Sequence, residues 1–230
     1  LYLTHLSKNS KISTLRRRLV SISMVHKLKG HYLDTKHPII VENLMGIRRV
    51  KGSIQKGKKP ILINHLKSII NVIDEQKIED IKKYRDKSII LVGFGGGFRR
   101  TELISIDHED LEFVPEGLKI TIKKSKTDQF GEGMIKGLPY FNNETYCPII
   151  NLKKWLEISK IKSGPIFRRF SKGSTLTDKR LTDQSVVLLM KEYLNLAGIE
   201  NRNFAGHSLR SGFATAVSYT HLRAHETLLD

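Results

Sequence analysis

The chain has 230 residues, 40 Lys and Arg against 23 Asp and Glu, and a formal net charge of +17. A hydrophobic content of 39% and a charged content of 27% are typical of a soluble globular protein, built as one large domain or two small ones. Because Cys147 is the only cysteine, an internal disulfide and a multi-cysteine zinc site are excluded. We find no membrane-length apolar run and no signal-peptide core, and therefore expect a cytoplasmic protein without membrane contacts.

The positive charge is concentrated near the start of the chain. Residues 1–60 hold 14 Lys and Arg but only two acids, Asp34 and Glu42. Such asymmetry favours double-stranded DNA as a partner, because Lys and Arg that neutralise phosphates release condensed counterions. A basic face that serves solubility or binds an acidic protein remains the alternative. The candidate DNA-binding residues are Arg16, Arg17, Arg18, Arg48, Arg49 and Lys51.

In chain order, the first predicted element is a helix over 13–30, with apolar residues at helical spacing. Ser13 or Thr14 is its candidate cap, and Gly30 would end it. The stretch RRVKGSIQKGKKP (48–60) is basic, contains glycine and has no apolar stripe. It is predicted to be a linker that contacts phosphate, and the domain boundary is placed there.

Beyond the linker, the apolar spacing of ILINHLKSIINVID (61–74) predicts a helix, and a second helix should run up to the glycines at 95–97. Alternation over 118–123 predicts a strand, followed by a polar turn and a second strand around 134–138. Further helices are predicted for NLKKWLEI and for 182–198. The expected fold class is mainly α with one small antiparallel β-sheet (α+β).

The segment GFGGGFRRTEL (93–103) invites a phosphate-loop interpretation, which fails. No Gly-Lys-Ser/Thr triplet follows, and the third glycine of a dinucleotide loop would fall on Phe98 or Arg100. What remains is Arg99 or Arg100 at the start of a helix, with Glu102 near enough to hold one guanidinium. Taken alone, this arrangement is equally well explained as a structural salt bridge.

Two further groups of residues could carry chemistry. KKSKTDQFGEG (123–133) puts several lysines at a hairpin tip, where lysines are usually only solvated. His207 and Arg210 stand three residues apart, so on a helix they would share a face and could both point at something negative. An ordinary pair on a helix surface is the alternative.

Together these pieces resemble a known family. Gly-Phe-Arg99-Arg-Thr-Glu-Leu, Ser-Lys126-Thr and His207-Ser-Leu-Arg210 occur in the order and at the intervals of the tyrosine recombinases, the phage-integrase family of site-specific DNA strand-exchange enzymes. The resemblance implies an integrase catalytic domain over 61–217. It also implies that 1–47 is part of a helical core-binding domain that binds DNA, joined by the linker at 48–60.

The resemblance also implies a mechanism. In the family a tyrosine hydroxyl attacks a DNA phosphodiester, leaving a 3′-phosphotyrosyl link and a free 5′-hydroxyl without metal or other cofactor. By carry-over, Arg99 and Arg210 clamp the phosphate, His207 donates beside them, and Lys126 protonates the departing 5′-oxygen, with Glu102 supporting Arg99. Self-association as a tetramer on DNA, and association with the nucleoid, are implied as well.

The end of the chain departs from the family pattern. Two more helices and then the nucleophilic tyrosine would be expected, but only 20 residues follow Arg210. Tyr219 is too close to Arg210 to be that nucleophile, and 218–230 does not match. With a start at Leu1, the expectation is a fragment truncated at both ends that binds DNA without cleaving it. His221, His225 and Glu226 do not form a zinc-protease pattern, and no metal is expected.

Two alternative functions stay open. A non-catalytic DNA-binding remnant of a prophage would explain a missing nucleophile. A topoisomerase-like strand transferase would use the same active-site chemistry without recombining specific sites.

Overall fold

The computed structural model describes residues 2–52, 57–123 and 133–226, with side chains as far as residue 219. It divides into two compact units, Leu1–Gly57 and Lys58–Asp230. The tip of the predicted hairpin, with Lys126, lies outside the described residues.

The first unit is helical, with α1 (Tyr2–Ser7), α2 (Ile12–Leu28) and α3 (Pro38–Lys51). Leu15 and Leu19 are buried, and they belong to the apolar face from which α2 was predicted. The predicted cap was wrong, since Lys11 occupies the N-cap position and makes no side-chain cap bond. The stretch predicted as a linker from residue 48 is helical as far as Lys51, because α3 continues through it.

The second unit is built around helices with one small sheet and a separate hairpin. Its helices are α4 (Ile63–Glu75), α5 (Asp80–Gly95), α6 (Arg100–Ser105), α7 (Pro148–Ser159), α8 (Asp183–Leu196) and α9 (Ser208–Glu226). Thr182 caps α8 by accepting a hydrogen bond from the Ser185 amide. The expected helices at 61–74, 81–94, 151–158 and 182–198 are therefore confirmed.

The sheet has three antiparallel strands in the order β1–β2–β3: β1 (Leu111–Val114), β2 (Gly117–Ile122) and β3 (Met134–Pro139). The two strands predicted from alternation are confirmed, and Ile120 lies opposite Lys136 in their register. A separate hairpin, β4 (Arg168–Phe170) and β5 (Leu176–Arg180), was not predicted. The fold class stands as mainly α with small antiparallel sheets.

Helix α5 runs through the core of the second unit. Every residue from Arg85 to Phe94 is buried, so the helix has no solvent-exposed face over this length. The charged residues at its start form a buried network, in which the Arg85 guanidinium lies 2.6 Å from the Asp86 carboxylate. Tyr193 of α8 donates a hydrogen bond of 2.7 Å to the same carboxylate, and burial raises the pKa of Tyr193. The network ties α5 to α8.

The segment that leads into the second unit is attached to the start of α9. The Lys59 amide donates to the Asn203 carbonyl at 2.7 Å, and the Ile61 amide donates to the Ser208 carbonyl at 2.9 Å. Gly212 is required for this contact, since a Cβ there would lie 2.0 Å from the Ile61 carbonyl oxygen. Residues 58–61 are thus an integral part of the second unit.

None of the helices within the described ranges is both long enough and apolar enough to cross a bilayer.

Candidate active site

The site is organised by the glycine turn that ends α5. Gly97 has φ +53°, and a Cβ there would lie 2.7 Å from the Phe213 ring, so the turn favours glycine on both grounds. Phe98 follows and is buried, which fixes the direction in which Arg99 enters α6. The carbonyl oxygens of Gly96 and Gly97 come after the last turn of α5, where helix carbonyls lack partners within the helix. They are left to accept from side chains.

Arg99 is the N-cap residue of α6 and is held by Glu102 in two ways. Its guanidinium Nη1 lies 2.6 Å from Glu102 Oε1, and its backbone amide donates to Glu102 Oε2 at 3.0 Å. The Glu102 side chain is almost fully buried, whereas the Arg99 side chain is 23% exposed. The arrangement fixes Arg99 while leaving part of its side chain exposed to solvent.

Arg210 reaches the same turn from α9. Its Nη1 donates to the Gly97 carbonyl at 2.8 Å, across more than a hundred residues of sequence. His207, the residue just before α9, is exposed, and its carbonyl accepts from the Ser211 amide at 2.9 Å. The two sequence-distant arginines therefore lie beside one turn, with His207 one helical turn from Arg210.

Lys136 of β3 is a third cation at this point, and it was not among the predicted site residues. Its Nζ donates to the Gly96 carbonyl at 2.9 Å and lies 3.7 Å from Glu102 Oε2. The signal that could have found it is its place on β3, where it shares a face with the buried Leu138. A lysine on the buried face of a strand needs partners.

The charges at the site shift two pKa values. Burial alone would raise the pKa of Glu102, but hydrogen bonds from Arg99 and the charges of Lys136 and Arg99 outweigh it and hold that pKa below its ordinary value. Desolvation lowers the pKa of Lys136; the positive charges of Arg210 and Arg99 lower it further, and Glu102 opposes them. Arg99 and Lys136 thus share one carboxylate, and the positive charge of Arg210 acts on Lys136 beside them, which is an arrangement suited to a second anion.

A cavity of about 520 Å³ opens beside these groups. Its lining includes the three glycines of the turn, Lys136 and Arg210. Because glycine has no side chain, a ligand backbone can approach the two cations closely there. Across the described ranges, no group of three or more His, Cys, Asp or Glu is placed to hold a metal ion.

Arg100 takes a different direction from Arg99. Its guanidinium lies 3.6 Å from Asp183 at the start of α8, and its side chain packs where a Cβ of Gly206 would be. Arg100 therefore holds the loop before His207 rather than joining the Glu102 cluster. This placement supports the choice of Arg99 over Arg100 as the candidate clamp.

A pH-dependent test follows from the position of Glu102. Its folded-state pKa is depressed, so its contribution to stability is fully present above the ordinary glutamate pKa and is lost as the pH falls through the lower folded value. We expect Glu102→Gln to reduce the free energy of unfolding at pH 7 by about 2 kcal/mol, because it removes charge-assisted hydrogen bonds. Urea unfolding of both proteins should show the difference shrinking in acid. A difference that stays constant to pH 3 would contradict this.

The candidate DNA-binding residues of the first unit are all exposed: Arg16, Arg17, Arg18, Arg48, Arg49 and Lys51. Three of them lie on α2 and three on the last turns of α3. The Lys51 ammonium also donates to the Lys8 carbonyl at 3.1 Å, so part of its hydrogen-bonding capacity is used within the unit.

Comparison with known proteins decides the family. The sequence model described as the phage integrase family matches residues 61–222. The chain belongs to the phage integrase family. The match includes Arg99, His207 and Arg210 and extends five residues past the boundary predicted at 217.

Curated relatives of this phage integrase chain carry recombinase names. It is 40% identical over 220 residues to the integrase/recombinase xerD homolog of Selenomonas ruminantium, covering 94% of this chain and 64% of that protein. It is 28% identical over 152 residues to the tyrosine recombinase XerD of Staphylococcus haemolyticus, covering 65% of this chain and 46% of that one. The chain thus spans less than two thirds of the length of these relatives.

Solved structures show the same fold. The XerH site-specific recombinase in a pre-cleavage complex with difH substrate matches with a TM-score of 0.55 and 21% identity, over 93% of this chain and 60% of that one. A lambda integrase dimer on a COC′ core site matches with a TM-score of 0.56 and 14% identity, over 92% and 54%. This chain and these two recombinases therefore share a fold although their sequences are only 21% and 14% identical to it.

Tyr219 lies on α9, nine residues after Arg210, and its side chain is 64% exposed. At 3.6 residues per turn this separation is about two and a half turns, so the two side chains leave opposite faces of the helix. Tyr219 lines a separate apolar cavity of about 360 Å³ with residues such as Leu62 and Thr215. That Tyr219 does not attack a phosphate held by Arg210 stays a prediction.

Proposed function

We propose that this chain is part of a tyrosine recombinase that cleaves and rejoins double-stranded DNA at specific sites. The observation that carries the proposal is the convergence of Arg99 and Arg210 beside Gly97, with Lys136 between them. Family membership and the recombinase names of the relatives support it. The chain is proposed to carry the core of the catalytic domain.

In the proposed reaction, Arg99 and Arg210 bind the non-bridging oxygens of one phosphate, and His207 donates to the same group. A guanidinium suits this role because its planar fork can make two parallel hydrogen bonds to one anion. A tyrosine hydroxyl gives its proton to solvent and bonds to phosphorus while the bond to the 5′-oxygen breaks. Lys126 gives a proton to that oxygen, and rejoining reverses these steps.

The first unit is proposed to supply part of a helical core-binding domain. Its exposed arginines on α2 and α3 would contact phosphates without reading the base sequence. The segment between α3 and the second unit would act as the linker, beginning after Lys51 rather than at residue 48. Assembly into a tetramer on DNA and association with the nucleoid belong to this proposal as well.

The decisive experiment is a covalent-trapping assay. The complete gene product is incubated with a pool of nicked duplexes that carry a randomised core, so that cleavage releases a short strand and traps the protein on DNA. We expect an adduct that survives denaturation, contains a phosphotyrosine link, and leaves a 5′-hydroxyl that a kinase can label. Sequencing the trapped duplexes then gives the target site.

Other outcomes separate the competing functions. Tight duplex binding without any adduct would identify a DNA-binding protein that lacks cleavage activity, a reading favoured by the placement of Tyr219. Relaxation of supercoiled plasmid without sequence preference would identify a topoisomerase-like activity. Tyr219→Phe serves as the matched control, and we expect it to leave adduct formation unchanged.

We expect duplex binding to weaken steeply with salt. The plot of log K against log salt concentration should be linear, with a slope of about −0.9 for each phosphate neutralised. Fluorescence anisotropy of a labelled duplex at several salt concentrations measures it. A flat plot would contradict the proposed role of the basic first unit.

A further inference from the structure

Lys136 bridges the separate supports of Arg99 and Arg210. Its Nζ lies 3.3 Å from the Gly97 carbonyl oxygen, which also accepts from Arg210 at 2.8 Å. The same ammonium lies 3.7 Å from Glu102 Oε2, while Glu102 Oε1 holds Arg99 at 2.6 Å. A single side chain therefore touches a group that fixes each arginine.

We infer that Lys136 is a positioning residue that sets the spacing of the two phosphate-binding arginines, an inference that rests on the proposed function. Lys136 sits at the junction of three elements, since it belongs to β3 and contacts the turn after α5 and the buried carboxylate of α6. Its side chain is only 14% exposed, and its ammonium lies 4.4 Å from the centre of the Phe98 ring. These contacts leave Lys136 little freedom to move.

The position has an electrostatic consequence. Lys136 and the arginines repel one another, and Glu102 alone among the described acids is in ion-pair contact with both Lys136 and Arg99. Burial and the charges of Arg210 and Arg99 lower the pKa of Lys136, and Glu102 opposes the shift. Raising the pH should therefore discharge Lys136 before an ordinary lysine and release the constraint on both arginines.

A purely structural role predicts something different. Lys136 could serve only to satisfy the last carbonyls of α5, a favourable place for a cation. Its removal would then lower stability and leave the chemistry of the folded protein unchanged. If Lys136 instead sets the spacing of the arginines, its removal should slow the chemical step in protein that remains folded. A displacement of about 1 Å can cost on the order of 10²-fold in rate.

The test compares Lys136→Met with Lys136→Arg and with Lys119→Met as the matched control. Lys119 lies on the neighbouring strand, is exposed, and pairs only at the surface with Glu112 at 3.1 Å. Single-turnover adduct formation over a range of protein concentrations gives a maximal rate and a half-saturating concentration. We expect Lys136→Met to lower the maximal rate about 10²-fold, with less than a threefold change in half-saturation.

Two variants make the result specific. Lys136→Arg should recover most of the rate near neutral pH and should move the alkaline fall in rate to higher pH, because a guanidinium stays charged. Lys119→Met should match the wild type. An unchanged maximal rate in Lys136→Met would overturn the inference. So would a maximal rate in Lys136→Arg about 10²-fold below that of the wild type near neutral pH, and this criterion holds even if Lys136→Met fails to fold.

A readout without cleavage separates this inference from the proposed function. Titration with inorganic phosphate, followed by the Nε–Hε resonances of Arg99 and Arg210, should give one binding constant for both. We expect Lys136→Arg to keep phosphate binding within about threefold and Lys136→Met to weaken it about tenfold, following the loss of a partly buried charge. A wild type that forms no adduct but shows this pattern would refute the recombinase activity and leave the role of Lys136 standing. Equal phosphate binding in all variants would refute that role.

Discussion

Arg210→Ala and Arg99→Ala should each lower the rate of DNA cleavage about 10²–10³-fold in the complete gene product, while duplex affinity changes little. Each substitution removes one preorganised hydrogen-bond donor that stabilises the negative charge developing on the phosphorane. Such a loss typically costs about 3–4 kcal/mol of transition-state stabilisation. Single-turnover adduct formation and anisotropy on the same duplex measure the two quantities. Arg99→Lys should stay impaired, because an ammonium cannot reproduce the forked contact.

The matched control is Arg202→Ala, which removes an exposed arginine from the same unit. It should leave the cleavage rate unchanged. Substituting Arg16, Arg17 and Arg18 together should do the reverse of the site variants, lowering duplex affinity and the salt slope while cleavage of bound DNA continues. Equal loss of binding from both sets of variants would show that the division of labour is wrong.

Asp86→Ala should lower the free energy of unfolding by about 3–5 kcal/mol, because it leaves the Arg85 guanidinium buried without its carboxylate. Both side chains are less than a tenth exposed, and Tyr193 loses its acceptor at the same time. Urea unfolding at neutral pH measures the loss as a shift in midpoint at constant slope.

Two comparisons identify the cause of that loss. Tyr193→Phe removes only a hydrogen bond to a charged group and should cost about 1.5–3 kcal/mol. A triple variant, Arg85→Met with Asp86→Leu and Tyr193→Phe, replaces the whole network by apolar groups and should lose much less than Asp86→Ala. A triple variant that is the least stable of the set would show that the network itself stabilises the fold.

Regular patterns made most of the fold predictable. Helical spacing identified α4 and α8, and strict alternation identified β2, because each element buries one face. β1 and the hairpin β4–β5 were missed, since their strands have three to five residues and no fully buried position that sets a period. For such short strands, pairing partners rather than local sequence decide the structure.

The candidate site residues were predictable only where two of them lie at a recognisable interval in the sequence. Arg99 with Glu102 and His207 with Arg210 each lie within one helical turn, so their spacing was informative. The meeting of Arg210 with Gly97 depends on how α9 packs on α5, which no local pattern encodes. The role of Lys136 was not predicted for the same reason, because its hydrogen-bond partners lie about forty residues earlier in the chain.

The attachment of residues 58–61 to the segment before α9 sets a limit for anyone who wishes to produce the catalytic unit by itself. Sequence similarity to the family begins at residue 61, but Lys58 Nζ reaches the Arg202 carbonyl at 2.7 Å and the Lys59 amide reaches Asn203. Trimming to the edge of the similarity would remove two backbone-anchoring residues next to the helix that presents Arg210. A usable N-terminal cut therefore falls before Lys58.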